Sequence, residues 1–204
     1  MGVDAAPSLR ERNKARARAE IAAAALRLFC ERGFAAVTVD EIVEVAGVSR
    51  RTFFRYFETK EDALLADYPE LSGQLAQSLS GSDASDPLEA ARDGLHQLAD
   101  WYVDRSDAVL ARSRVISDAA LTLAARNLEF LVQWERAIAA TVADRTGADP
   151  GDLFPRTAGA AIVGAFRAAL TQWVRSSGRD DLHELTNRAF DVVEVGLRGH
   201  MAVP

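Results

Sequence analysis

Arg50, Arg51 and Arg55, interleaved with Thr52 and Tyr56, are the residues of this 204-residue chain whose types and spacing point most directly to chemistry. Arg51 and Arg55 stand one helical turn apart and share a face. Thr52 and Tyr56 lie beside them, so one side offers guanidiniums and hydroxyls together. Arginine can donate two parallel hydrogen bonds to guanine O6 and N7, and hydroxyls can bind phosphate oxygens. Arg50 falls in the first turn, where a groove-reading helix touches base edges. Lys60, opening the next helix, is placed to pin a phosphate. No Ser/His/Asp or Cys/His grouping, glycine-rich phosphate loop or His-Glu metal motif accompanies them. No catalytic residue, cofactor or metal is therefore expected, and the chain reads as a binding protein rather than an enzyme.

The flanking residues supply the elements that must hold this surface. Thr38 with Glu41 forms a capping box that starts a helix, and Ile42, Val43 and Ala46 give that helix its buried stripe. Gly47 permits the reversal. Ser49 is a good N-cap for a second short helix, in which Phe53 and Phe57 stand one turn apart and face the core. Helix, glycine turn and basic helix make a helix-turn-helix.

Residues 47–61 resemble the DNA-binding domain of the TetR family of bacterial one-component transcriptional regulators. The resemblance is carried by Gly47, Val48 and Ser49, by Arg50 and Arg51 in the variable base-reading positions, by Thr52, by the aromatic run ending in Phe57, and by Thr59, Lys60 and Glu61. It extends back through Leu28, Phe29, Gly33 and Phe34 and covers roughly residues 16–65. It implies a DNA-binding set of Thr38, Ser49, Arg50, Arg51, Thr52, Phe54, Arg55, Tyr56 and Lys60. Phe54 departs from the pattern, standing where the family commonly has a tyrosine whose hydroxyl meets phosphate; Tyr56 is expected to take over that contact. Arg55 replaces a common aromatic. Arg50 and Arg51 fill positions where Lys-Gly is frequent, which argues for a G-containing operator.

Charge is divided along the chain. The formal net charge is −6, yet residues 1–60 carry a balance of +3 and residues 61–204 a balance of −9. Attraction to phosphate is thus local to the amino-terminal part. Arg10, Arg12, Lys14, Arg16 and Arg18 read either as an arm for the minor groove or as a solvated tail leading into a first helix at about Asn13. Cys30 stands alone, which excludes an intrachain disulfide, and reads as a core residue of that helix. His96, His183 and His200 are too far apart in sequence for metal-ligand spacing. Met1 to Pro7 lack a leader's apolar stretch and no run reaches transmembrane length, so a cytoplasmic protein is expected.

The rest reads as helix throughout. The expected class is all-α, with a DNA-binding domain over residues 1–60 and a helical ligand-binding and dimerisation domain over 61–204. A helix capped by Thr59 and Asp62 should bend near Pro69; Asp86-Pro87 starts another, a long one runs from about Ala119 to Arg145, and Asp149-Pro150 opens the next. The last two long helices suggest a homodimer interface, with small residues at Ala161, Ala165 and Ala169 and a stripe of Phe190, Val193 and Leu197. Two-fold symmetry would suit a near-palindromic operator.

An effector site is expected from Trp101, Tyr102, Phe130, Trp134 and Phe166, with Arg105, Arg112 and Arg114 at its mouth for an anionic head group. Arg112 to Leu121, Trp134-Glu135 and Ala168 to Trp173 resemble a TetR subgroup with an acyl-CoA-like ligand-binding domain, including regulators near mycofactocin genes. That resemblance implies a repressor released by a hydrophobic or acyl-CoA-like effector. Two alternatives stand beside it: an acyl-binding or acyl-transferring helical protein with a vestigial helix-turn-helix, and a regulator that senses a cationic or aromatic drug through Glu135 and the tryptophans.

Overall fold

Capping residues, glycines and prolines cut the chain into helices, and among the described residues there is no strand. The computed structural model describes residues 8–201, apart from the side chains of Glu11, Ala120, Leu121 and Ala125. The expectations placed on Met1 to Pro7 and on the Leu121 side chain lie outside the described residues. In order the helices are α1 (Leu9–Arg32), α2 (Val39–Ala46), α3 (Arg50–Tyr56), α4 (Lys60–Leu64), α5 (Tyr68–Gly81), α6 (Pro87–Asp104), α7 (Ser106–Asp118), α8 (Ala120–Thr146), α9 (Leu153–Arg175) and α10 (Leu182–Met201). The all-α class is as the sequence implies.

The contacts divide the chain into two compact units, one reaching Ala66 and also taking residues 111–123, the other made of residues 67–110 and 124 onward. This differs from a single cut at residue 60. Ala63, Leu64 and Ala66 beyond that point, and Val115 and Leu123 far along the chain, are buried in the same core as Ile21, Phe29, Ile42 and Phe53. Apolar residues follow the core that removes them from water, wherever they lie in sequence.

In the first unit α1 begins at Leu9, not near Asn13, so the basic run from Arg10 to Arg18 is helical from the start. Arg16 pairs with Glu20 at 2.8 Å, and the Arg18 guanidinium lies 5.2 Å from the centre of the Phe57 ring. Cys30 is exposed instead of core, although neighbouring atoms desolvate it enough to raise its thiol above the ordinary value.

The second unit is built on α5, α6, α8, α9 and α10. The expected bend at Pro69 is a full break: α4 stops at Leu64 and α5 restarts at Tyr68, with proline in its first turn where no amide donor is needed. Asp149-Pro150 makes a turn rather than a helix start, with the Gly151 amide donating to Asp149 at 2.7 Å, and α9 begins after Asp152. Gly159 lets α9 press against α8: a Cβ there would run into the Glu135 carbonyl.

His96 on α6 and His183 on α10, remote in sequence, meet with their Nδ1 atoms 2.8 Å apart. Asn187 and Asp100 take their Nε2 atoms at 2.9 Å and 3.0 Å. Sequence distance was thus a poor guide to spatial distance for this pair. Among the described residues no group of metal-ligating side chains large enough to hold an ion forms, and no helix is long and apolar enough to cross a membrane.

Apart from Ala161, which is half-buried along an outer groove, the small and apolar stripes expected for dimerisation face inward. Ala165, Ala169, Phe190 and Leu197 are buried in the unit's own core, and Val193 packs against it. The outward faces are one helical step away: Ala160 and Ala168 on α9, and Val192 and Val195 on α10 at 80% and 78% exposure. Both helices are apolar on more than one side, so periodicity alone could not assign the inner face.

Candidate nucleic-acid interface and apolar pocket

Local sequence builds the amino-terminal surface. The Thr38 hydroxyl accepts from the Glu41 amide at 3.3 Å while the Glu41 carboxylate takes the Thr38 amide at 2.8 Å, closing the capping box on α2. The Thr38 amide and the Thr38 hydroxyl, which also donates to the Glu41 carboxylate at 2.9 Å, hold that carboxyl below the usual carboxylate range, with Arg32 adding its charge. Gly47 ends α2 in the left-handed region at φ 65°. Ser49 then accepts the Thr52 amide at 3.1 Å and starts α3. Phe53 and Phe57 are buried beneath, their ring centres 5.7 Å apart.

With those two rings turned inward, the other face of α3 is left to solvent. Arg50, Arg51, Phe54 and Arg55 are exposed, and Thr52 and Tyr56 are half-buried. The arginines are held differently. Arg50 Nη1 donates to both carboxylate oxygens of Asp40, at 2.6 Å and 2.7 Å, and its guanidinium lies 5.6 Å from the centre of the Phe54 ring. Arg55 donates to the Tyr56 hydroxyl at 3.1 Å and rests 4.8 Å from that ring's centre. Arg51 takes no ion pair or hydrogen bond among the described residues. The helix thus presents guanidinium donors and hydroxyls on one side, which can address phosphates and base edges.

Lys60 departs from expectation. It opens α4, but its ammonium donates at 2.8 Å to the carbonyls of Phe34 and Val37 and sits 4.6 Å from the centre of the Phe34 ring. The turn between α1 and α2 leaves carbonyls without helical partners, and a cation satisfies several at once. Lys60 therefore ties the turn down instead of facing a phosphate.

Only some of the residues expected at the effector site meet. Tyr102, Phe130, Trp134 and Phe166 line a cavity of about 100 Å³ in the larger unit. Phe166 lies at its heart, 6.0 Å from the Tyr102 ring centre and 6.3 Å from that of Trp134. The Trp134 ring N–H donates to Ser72 at 2.9 Å, leaving an apolar face toward the cavity.

Trp101 and Arg105 do not line this cavity. They stack on one another at 4.6 Å along a separate groove of about 870 Å³ between α5 and α6, which carries Asp93, Asp100 and Asp104. That groove is larger but open and acidic, unsuited to an apolar or anionic ligand. Arg112 is buried and, like exposed Arg114, belongs to the first unit. Glu135 lines an outer groove between α8 and α9, away from the aromatic cavity. The arginine that does line the cavity is Arg167, with Tyr68 and Asn127 as its other polar neighbours. Arg167 directly follows Phe166, and that adjacency was the signal available for it.

Known proteins share both halves of this arrangement. The family model for bacterial regulatory proteins of the tetR family matches residues 21–66, and that for the MftR C-terminal domain matches residues 85–198. A candidate mycofactocin biosynthesis transcriptional regulator, MftR of Mycobacterium tuberculosis, is 33% identical over 175 residues, covering 85% of this chain and 87% of its own length. The HTH-type transcriptional regulator TcmR of Streptomyces glaucescens is 30% identical over 182 residues, covering 85% and 80%. Among solved structures, FadR of Thermus thermophilus, a TetR-family repressor in complex with lauroyl-CoA, superposes with a TM-score of 0.62 at 24% identity over 87% of this chain and 93% of its own.

Proposed function

The chain belongs to the TetR family of bacterial transcriptional regulators, and from that premise we propose that it is a cytoplasmic repressor which grips a near-palindromic operator as a homodimer and releases it when a hydrophobic or acyl-CoA-like effector enters the larger unit. The observation that carries the DNA reading is the exposed face of α3. Arg50, Arg51 and Arg55 stand there with two hydroxyls, on a helix whose core side is locked by Phe53 and Phe57. Thr38 and Ser49 serve mainly as the caps that aim it.

The outward small face of α9 and the Val192 and Val195 pair of α10 suit the dimer contact, because small residues allow close helix approach and the exposed valines gain by burial. Two copies related by a two-fold axis would set two recognition helices on successive major grooves.

The effector reading rests on the aromatic cavity. At about 100 Å³ it lies below the roughly 300–1,000 Å³ of ordinary ligand pockets, so an acyl chain must enlarge it. A ligand that fits only the enlarged form favours that form, and the difference in its affinity for the two forms, typically about 1–3 kcal/mol, is what reaches the DNA. Arg167, which lines the cavity, would supply the cation for an anionic head group.

The test is fluorescence anisotropy with DNA from the gene's own upstream region, titrated with salt and then with long-chain acyl-CoA. Salt-dependent binding that acyl-CoA reverses is expected, and Arg51→Ala should weaken specific binding by about 1–3 kcal/mol. Binding that persists in acyl-CoA would overturn the effector assignment. Absence of sequence-selective binding would overturn the operator reading.

A further inference from the structure

We propose that Asp40 is a specificity-determining residue of the DNA surface, acting through Arg50 by holding its guanidinium in one pose; the inference rests on the operator-binding reading above. Asp40 lies in the first turn of α2 and Arg50 in the first turn of α3. The glycine turn between the helices brings the two together, with Arg50 Nη1 donating to both Asp40 oxygens. Phe54 adds a second support, its half-exposed ring 5.6 Å from the guanidinium carbon.

This arrangement engages one end of the fork and leaves the other. With Nη1 engaged, the edge that remains is Nε with Nη2, and among the described residues no acceptor meets either atom. Two parallel N–H donors on that edge match guanine O6 and N7. A free arginine can also turn to a phosphate or to another base. Held by Asp40 and Phe54, Arg50 loses less freedom on binding and has fewer alternative partners.

A carboxylate on a DNA-facing surface works against phosphate attraction, so Asp40 contributes selectivity at some expense of general affinity. Side-chain exposures of 58% for Arg50 and 64% for Asp40 leave the pair open to a groove. Phe54, which lacks the hydroxyl expected at its position, gains a role as the shelf beneath the arginine.

The full-length protein is used to select bound duplexes from a random pool, followed by anisotropy on the selected sequence and its single-base variants. The wild type should require G·C at one position of each half-site. Asp40→Ala should lower discrimination at that pair roughly tenfold while leaving preferences elsewhere and binding to random DNA undiminished. Asp40→Asn, which keeps the shape and one acceptor, should fall between. In an Arg50→Ala background, Asp40→Ala should have no further effect on base preference, as a residue acting through Arg50 requires. Unchanged discrimination in Asp40→Ala, or a parallel loss at every position with a lower melting temperature, overturns the proposal. If the wild type selects a sequence but Arg50→Ala keeps the same preference, the Asp40 assignment falls alone. If the wild type selects nothing, the operator reading falls and this inference with it.

Discussion

In the amino-terminal unit, the candidate DNA surface is set by side chains whose partners are a few residues away; in the larger unit, the aromatic cavity is set by side chains whose partners are helices away. Thr38 finds Glu41, Ser49 finds Thr52 and Thr59 finds Asp62, each within a single turn. The aromatic cavity gathers Tyr102 from α6, Phe130 and Trp134 from α8, and Phe166 and Arg167 from α9. The first kind of order is written in spacing, while the second is written in packing, and a sequence exposes the first far more readily.

The largest expected effect comes from removing one core ring from each unit. Phe53 and Phe190 are both fully buried, in different cores. Each change to alanine should cost about 3–5 kcal/mol through lost burial and an unfilled cavity. If each core is its own cooperative unit, Phe53→Ala should lower only one of two calorimetric transitions and abolish DNA binding, while Phe190→Ala lowers the other. A single shared transition for both variants would mean the division into units has no thermodynamic counterpart.

The limits of reading by spacing show at particular residues. The caps, the glycine turn and the inward Phe53 and Phe57 were legible because each depends on neighbours within a turn. Lys60 was legible as a helix start but not in its direction, since the carbonyls of Phe34 and Val37 reach it only through the fold. Arg112 and Arg167 are both arginines beside apolar runs, and only packing decides that Arg167 lines the cavity. On α10 the apolar stripe of Phe190, Val193 and Leu197 faces inward, which spacing alone does not show because Val192 and Val195 give the helix a second apolar side. His96 and His183 show the same limit for polar groups.

Two smaller substitutions sharpen the contrast. Gly159→Ala places a methyl group against the Glu135 backbone, which cannot swing aside as a side chain can, and should destabilise the larger unit by about 1–3 kcal/mol. Gly73→Ala, with nothing within 4 Å of its added carbon, should stabilise α5 by about 0.5–1 kcal/mol. Urea unfolding in which Gly159→Ala was as stable as the wild type would overturn the close α8–α9 approach, and a destabilised Gly73→Ala would overturn the open space at that position. In the other unit, Thr38→Ala should cost about 1 kcal/mol by opening the α2 cap, measured on the first transition. An unchanged midpoint would mean that the α2 cap does not contribute to that unit's stability.

Acid tests the same contrast with charge instead of volume. In the amino-terminal unit the Glu41 carboxyl is held low by its near neighbour Thr38, with Arg32 assisting. In the larger unit burial alone would raise Asp86, but the hydrogen bond from Arg198 at 2.6 Å, together with the Leu88 amide, brings it below its ordinary value. For both groups the folded value is lower than the unfolded one. Their contributions are therefore fully present above the ordinary carboxylate range, about 4, and fade as the pH falls through the folded value. Glu41→Gln can keep the shape of the capping box while deleting the charge. It should flatten the acid limb of the first transition with little change in its neutral-pH midpoint. Asp86→Asn breaks a link between elements far apart in the chain, so it should lower the second transition at neutral pH as well as flatten its acid limb. An acid limb in Glu41→Gln as steep as in the wild type would show that other carboxylates govern the amino-terminal unit, and that its local cap is a matter of geometry without charge.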